Sequence, residues 1–179
     1  VPEDAATIWR GPMVMSAIEQ LLRDVDWQNL DILIIDMPPG TGDAQLTLSQ
    51  RVKLTGAIIV STPQDLSLID ARKGLNMFKK VNVPILGIIE NMSYFQCTNC
   101  NTIHEIFGNG GAKAEANKLG VPFLNAIPLD ISLRTSSDDG NPIVNKDPNS
   151  IISKKYMEIG FQIIKTIEIN KKTSPRIIQ

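Results

Sequence analysis

The chain has 179 residues, 18 of them basic and 19 acidic. No surplus positive charge is left to neutralise a phosphate backbone or an anionic membrane surface, so nucleic acid is excluded as the main partner. This length sets one domain as the expectation, with a core that buries roughly two-thirds of the unfolded surface. No apolar run approaches the ~20 residues that span a bilayer, and the start carries no signal-peptide pattern, so no membrane insertion is expected. The two cysteines, Cys97 and Cys100, are too few and too close for a disulfide framework, which points to a reducing compartment. The first residue is Val1 rather than Met, which leaves room for sequence before it.

After Gly11-Pro12, apolar residues at Val14, Ile18, Leu21, Leu22 and Val25 follow a helical spacing. Asp31-Ile-Leu-Ile-Ile-Asp36 is a short, unbroken apolar run rich in β-branched residues, the pattern of a strand buried on both faces. Pro38-Pro39-Gly40 ends it. The pattern then predicts a helix over 44–54, a strand at 56–61, a helix over 65–80 and a strand at 84–90. Strand and helix alternate, as in right-handed βαβ units of a mainly parallel sheet with helices on both faces.

Residues 92–109 match neither period and read as an inserted loop. A helix over 111–119 closes on Gly120, a suitable C-terminal cap, and a strand at 123–127 is expected to form the sheet's edge. Ser, Asp, Gly, Asn and Pro crowd residues 135–149, and a final helix spans 151–169. The expected organisation is one α/β domain over 1–170 with its inserted loop, followed by a flexible tail at 171–179.

In an open parallel sheet, ligands bind outside the carboxyl ends of the strands. Three features fall there. Asp36 closes an apolar strand, where a carboxylate can hold magnesium through water, and the turn Met37-Pro-Pro-Gly-Thr-Gly42-Asp43 lets backbone N–H groups approach a terminal phosphate. The same residues also read as a Pro-Gly turn with Asp43 capping the next helix. Asn91, directly after the Ile-Ile-Glu run, has an amide that can read an adenine edge, or it is an ordinary turn residue.

The third feature is Cys97-Thr-Asn-Cys100. Two thiolates three positions apart grip one metal centre, and a loop setting favours metal over a thioredoxin-type redox pair, which belongs at a helix start after a strand. Two cysteines complete neither a tetrahedral zinc site nor a four-cysteine cluster, but a two-fold dimer meeting through this loop supplies four. His104, the single histidine, is near enough in sequence to be a third ligand or a solvated loop residue. Gly108-Asn-Gly-Gly-Ala-Lys113 superficially suggests a phosphate cradle, but no Gly-Lys pair occurs anywhere in the chain, and small residues at a helix start are the better reading.

Six motifs in order, Trp9-Arg-Gly-Pro-Met13, Asp36-Met-Pro-Pro-Gly-Thr-Gly-Asp43, Ser61-Thr-Pro-Gln64, Glu90-Asn-Met-Ser93, Cys97-x-x-Cys100 and Ile127-Pro-Leu129, closely resemble the Mrp/ApbC family over residues 8 to 145. The resemblance implies a deviant-Walker P-loop ATPase fold, three layers with a central sheet. It also implies a [4Fe–4S] cluster held between two subunits and passed to apo iron–sulfur proteins. On this resemblance Asp36 takes the Walker B position beside Mg2+, and Gly40, Thr41 and Gly42 form the switch that senses the γ-phosphate of ATP. Asn91 and the backbone at Pro128 and Leu129 take the base, and Cys97 and Cys100 hold the cluster. The similar proteins are bacterial cytoplasmic or, in eukaryotes, mitochondrial matrix proteins.

The family's Gly-Lys-Gly-Gly-Val-Gly-Lys-Ser loop does not occur in the chain, and the resemblance places it, with the sheet's central strand, before Val1. Phosphoryl transfer needs a lysine and backbone donors around the phosphates and a hydroxyl on magnesium. These 179 residues alone are therefore expected neither to hydrolyse nor to bind ATP tightly, and to expose apolar sheet edges. The alternative from a different class is a zinc-bridged structural or partitioning ATPase without cluster transfer, since thiolates suit both metals.

Overall fold

The computed structural model describes residues 11–37 and 42–173. In chain order the elements are α1 (Gly11–Arg23), α2 (Asp43–Arg51), β1 (Ala57–Ser61), α3 (Asp65–Lys80), β2 (Ile85–Glu90), β3 (Phe95–Gln96), β4 (Ile103–His104), α4 (Gly111–Leu119), β5 (Phe123–Ala126), α5 (Ile131–Asp138), α6 (Ile143–Lys146) and α7 (Ile151–Thr173). The three apolar runs β1, β2 and β5 pair in parallel in the order β1-β2-β5. Their register sets Ser61 opposite Glu90 and Glu90 opposite Ala126, so the three strands end level and their following loops share one edge.

Both faces of the sheet are covered, because alternate strand residues are apolar on each side. On one face Ile59 and Ile88 pack with Leu68, Leu75 and Phe78 of α3 and Ala112 and Ala116 of α4. On the other, Leu124 and Ile127 pack with Ile159 of α7, flanked by Ile58, Ile89 and Ile163. The α/β architecture, parallel sheet and two helical layers follow the expectation. None of the described helices is long and apolar enough to cross a membrane.

The segment 31–36 departs from it. These residues form no strand, and Ile32, Leu33 and Ile34 are exposed, Ile34 to 85%. An isolated extended run gains no ladder hydrogen bonds and buries nothing, while ordering its backbone costs about 1–2 kcal/mol per residue. Among the described residues β1 pairs only with β2, so its outer edge is open beside the exposed Val60. The expected apolar edge is thus present, and a strand needs its neighbour as much as its own composition.

Two smaller differences lie near the end. Residues 131–138, the last four of which fall in the 135–149 stretch read as rich in turn residues, form α5, where the Asp130 carboxylate accepts from the backbone N–H of Ser132 and Leu133 and caps the helix. The final helix runs to Thr173, four residues beyond the expected 169, so the first residues of the predicted tail are helical; residues 174–179 lie outside the described part.

One ion pair ties α3 to α4. Arg72 Nε and Nη2 donate to the Glu115 carboxylate at 2.5 and 2.8 Å, and the Glu115 side chain is nearly buried while that of Arg72 is partly exposed. The hydrogen bonds and charge of Arg72 hold Glu115 below its ordinary value of 4.5. The stability this carboxylate contributes is complete above 4.5, where the unfolded chain is also ionised, and is lost as pH falls through the depressed folded value. Thermal unfolding from pH 6 downward should show wild type losing stability below about pH 4.5, and Arg72→Met flattening that part of the profile.

Candidate metal-binding loop and strand-end site

The cysteine loop is a short hairpin rooted on the sheet. Beyond Glu90 the chain turns at Met92, which has a positive φ of 52°, and three backbone hydrogen bonds hold the turn down: Asn91 N to Ser61 O at 2.8 Å, Ser93 N to Ile127 O at 2.9 Å and Leu129 N to Tyr94 O at 2.7 Å. Phe95 then pairs with His104 and Gln96 with Ile103, so β3 and β4 form the stem and residues 97–102 the tip. The inserted loop, which matched neither period, is thus ordered by hydrogen bonds its side-chain pattern does not encode.

At the tip, Cys97 N donates to Thr102 O and Asn101 N to Cys97 O, each at 2.9 Å, closing one tight turn with Asn101 at a φ of 58°. Both thiols are free; Cys97 is half-buried and Cys100 exposed. Thr102 Oγ1 lies 3.2 Å from Cys100 Sγ. Hydrogen bonding from the Thr102 hydroxyl, then from its backbone and from the Cys97 thiol, lowers the Cys100 thiol from its ordinary value of 9.0. A lowered thiol offers more thiolate, the form that ligates metal.

The fit to a thiolate-bound metal centre is good but half complete. The two thiols share one tight turn at the tip, and among the described residues no group of three or more His, Cys, Asp or Glu comes together. His104 does not join the cysteines; its ring lies against Phe95 with centroids 6.4 Å apart. Among the described residues, this tip brings two soft ligands and no third.

The predicted nucleotide residues are only partly gathered. Asp36 is exposed in the unpaired 31–37 segment and ends no strand, because that strand is not formed. Gly40 and Thr41 lie outside the described residues, and Gly42 is the residue before α2, with extended φ and ψ of −76° and −179°. Pro128 and Leu129 line a cleft of about 230 Å³ together with Tyr94, Gln96, Asp130 and Ile152; Asn91 does not line it. A wider groove of about 410 Å³, lined by Lys79, Asn82, Pro84 and Pro122, sits at the amino ends of β2 and β5, the end of a parallel sheet where ligands are not expected.

Sequence reasoning missed the partner of the α4 N-terminus. The Glu90 carboxylate, only 1% exposed, accepts from Ala112 N at 2.8 Å and from Ser93 Oγ at 2.5 Å. The glycine-rich stretch 108–111 is therefore no phosphate cradle: the chain's own carboxylate occupies the position an anion would take. A Cβ on Gly111 would stand 2.5 Å from Pro63 O, which is why a residue without a side chain sits at this close crossing. The signal in the sequence was an acidic residue closing an otherwise apolar strand.

Comparison with known proteins bears on this arrangement. The profile of a family described as ParA, NUBPL iron-transfer P-loop NTPase, matches residues 1–164. A Dictyostelium discoideum protein named iron-sulfur cluster transfer protein NUBPL is 57% identical over 169 residues, covering 94% of this chain and 52% of its own length. An Arabidopsis thaliana protein named iron-sulfur protein required for NADH dehydrogenase, mitochondrial, is 50% identical over 179 residues, 100% of this chain and 57% of its own. Among solved structures, a nucleotide-binding protein from Archaeoglobus fulgidus in complex with ADP aligns with a TM-score of 0.65 and 44% identity over 72% of this chain and 53% of its own. The chain spans about half the length of the curated relatives it matches.

Proposed function

Because the chain belongs to the NUBPL-type iron-transfer P-loop NTPase family, we propose that it is the cluster-holding part of an iron–sulfur carrier. Two copies meet through their cysteine loops, hold a [4Fe–4S] cluster as cargo and deliver it to apo iron–sulfur proteins. The single observation that carries this reading is the two-thiol tip: Cys97, half-buried, and Cys100, exposed, stand free on one tight turn, and among the described residues no group of three or more ligands forms there. A two-fold pairing supplies the missing pair, and the exposed Ile103 and Ile106 beside the tip offer apolar surface for it.

ATP and Mg2+ belong to the same reading. A phosphate-binding loop from outside these 179 residues would complete the sheet at the open edge of β1, and Asp36 would be the carboxylate that holds magnesium there. Gly40, Thr41 and Gly42 sense the γ-phosphate, and Asn91 with the backbone at Pro128 and Leu129 takes the base. Residues 1–170 are one partial NTPase domain in this account. The cellular setting is bacterial cytoplasm or mitochondrial matrix, in line with relatives named from both kinds of organism.

Transfer is the property that separates a carrier from a zinc-bridged relative. Full-length protein loaded anaerobically with iron and sulfide should convert an apo-enzyme that needs a [4Fe–4S] cluster to its active form, faster than free iron and sulfide do. Activation at the rate of free iron and sulfide counts against delivery.

A further inference from the structure

We infer that Glu90 is a positioning residue that sets the stance of the cysteine hairpin, an inference that rests on the carrier reading of Cys97 and Cys100. Its carboxylate is the most buried acidic group among the described residues, and nothing in the carrier reading uses it. One oxygen accepts from Ser93 Oγ at 2.5 Å and the other from Ala112 N at 2.8 Å, so the group bridges the root of the cysteine loop to the N-terminus of α4. Ser93 stands four residues before Cys97, beyond the strained Met92, at the point where the backbone is also pinned to Ile127.

The α4 end of the bridge is itself wedged against the loop after β1. Gly111 sits so close to Pro63 that a Cβ would meet its carbonyl oxygen at 2.5 Å and Leu68 Cδ1 at 2.8 Å. The buried carboxylate thus joins the α4 N-terminus to the cysteine-loop root, and the Gly111–Pro63 contact seats that same helix end on the 61–64 turn. A buried acceptor with two donors is held in one geometry, because losing either donor leaves an oxygen buried without its partner. The stem that follows Ser93 is only two paired residues per strand, too short to hold its own angle, so the angle at which it leaves the sheet is set at this clamp.

Ser93→Ala removes the loop-side donor and leaves the α4 bond. In full-length protein reconstituted with iron and sulfide, loss of cluster absorbance to a chelator should run roughly tenfold faster than in wild type, the scale seen when groups that orient metal ligands are removed. Glu90→Gln keeps an acceptor toward Ala112 and a polar partner for Ser93, and should stay within about threefold of wild type. Ser153→Ala, which deletes a fully buried hydroxyl bonded to Ile143 O and Asp147 O, controls for lost stability without touching the hairpin. A Ser93→Ala rate within about threefold of wild type, or a Ser153→Ala rate equal to that of Ser93→Ala, overturns the inference. Thiol-reagent kinetics on the metal-free protein read the clamp independently. A change of more than about threefold in Cys97 and Cys100 reactivity on Ser93→Ala supports it even if wild type takes up no cluster, an outcome that defeats the carrier reading alone. Unchanged reactivity then overturns the clamp.

Discussion

Cys97→Ser in the full-length protein should reduce reconstituted iron from about four per two chains to background, and Cys100→Ser should do the same. Each substitution removes two of four thiolates at once, because both copies in a two-fold pair carry it. The replacement oxygen is a poor ligand for iron in a sulfide cluster. The fold should be untouched: Cys100 is exposed, Cys97 is half-buried, and the turn at the tip is closed by backbone hydrogen bonds that serine leaves in place. Iron analysis together with thermal unfolding of the metal-free protein reads both halves. A serine variant that keeps a full cluster defeats the assignment, and one that unfolds early shows that the thiols matter for packing instead.

The second large effect is expected at Asp36. In full-length protein with magnesium and ATP, Asp36→Asn should lower phosphate release by roughly 10- to 100-fold, the range for a carboxylate that orients a metal through water. The substitution should leave the stability of the 179-residue chain unchanged, since Asp36 is exposed in a segment that packs in no sheet. The 179-residue chain by itself should release no phosphate above background. Wild-type turnover in Asp36→Asn removes Asp36 from the nucleotide site, and turnover by the short chain contradicts the placing of the phosphate loop elsewhere.

The fold was legible wherever an element's pattern and its partner lie in the same stretch of chain. β1, α3, β2 and α4 alternate within 57–119, each finds its neighbour inside that stretch, and their ends fall within a residue or two of the periodicity. The 31–36 run shows the opposite case. Its composition is as strand-like as that of β2, yet β2 has partners on both sides and 31–36 has none among the described residues. Local pattern states what a segment can become; pairing decides whether it does. Helix α5 was hidden for another reason: Ser and Asp are weak helix formers that also mark turns, and the Asp130 cap together with the packing of Leu133 on the core supports residues 131–138 as helix.

The site divides along the same line. Cys97 and Cys100 were readable because their spacing alone brings them onto one turn, so no distant contact is needed to join them. Asp36, Gly40, Thr41, Gly42 and Asn91 depend on where several strands end relative to one another. The structure brings Asn91, Pro128 and Leu129 to one edge of the sheet while leaving Asp36 outside it. The Glu90-Asn-Met-Ser93 motif held Glu90 and Ser93 together, but the bridging role of Glu90 was hidden because its other partner, the amide of Ala112, is brought to it by the fold across 22 residues.

The claim at the centre is that two chains share one cluster through four thiolates. It is tested most directly by measuring iron, acid-labile sulfide and zinc in full-length protein purified and reconstituted without air, with the native mass taken on the same sample. About four irons and four sulfides per two chains, in a species of dimer mass, are expected. Colourless protein holding half a zinc per chain, or a full cluster on a monomer, contradicts it.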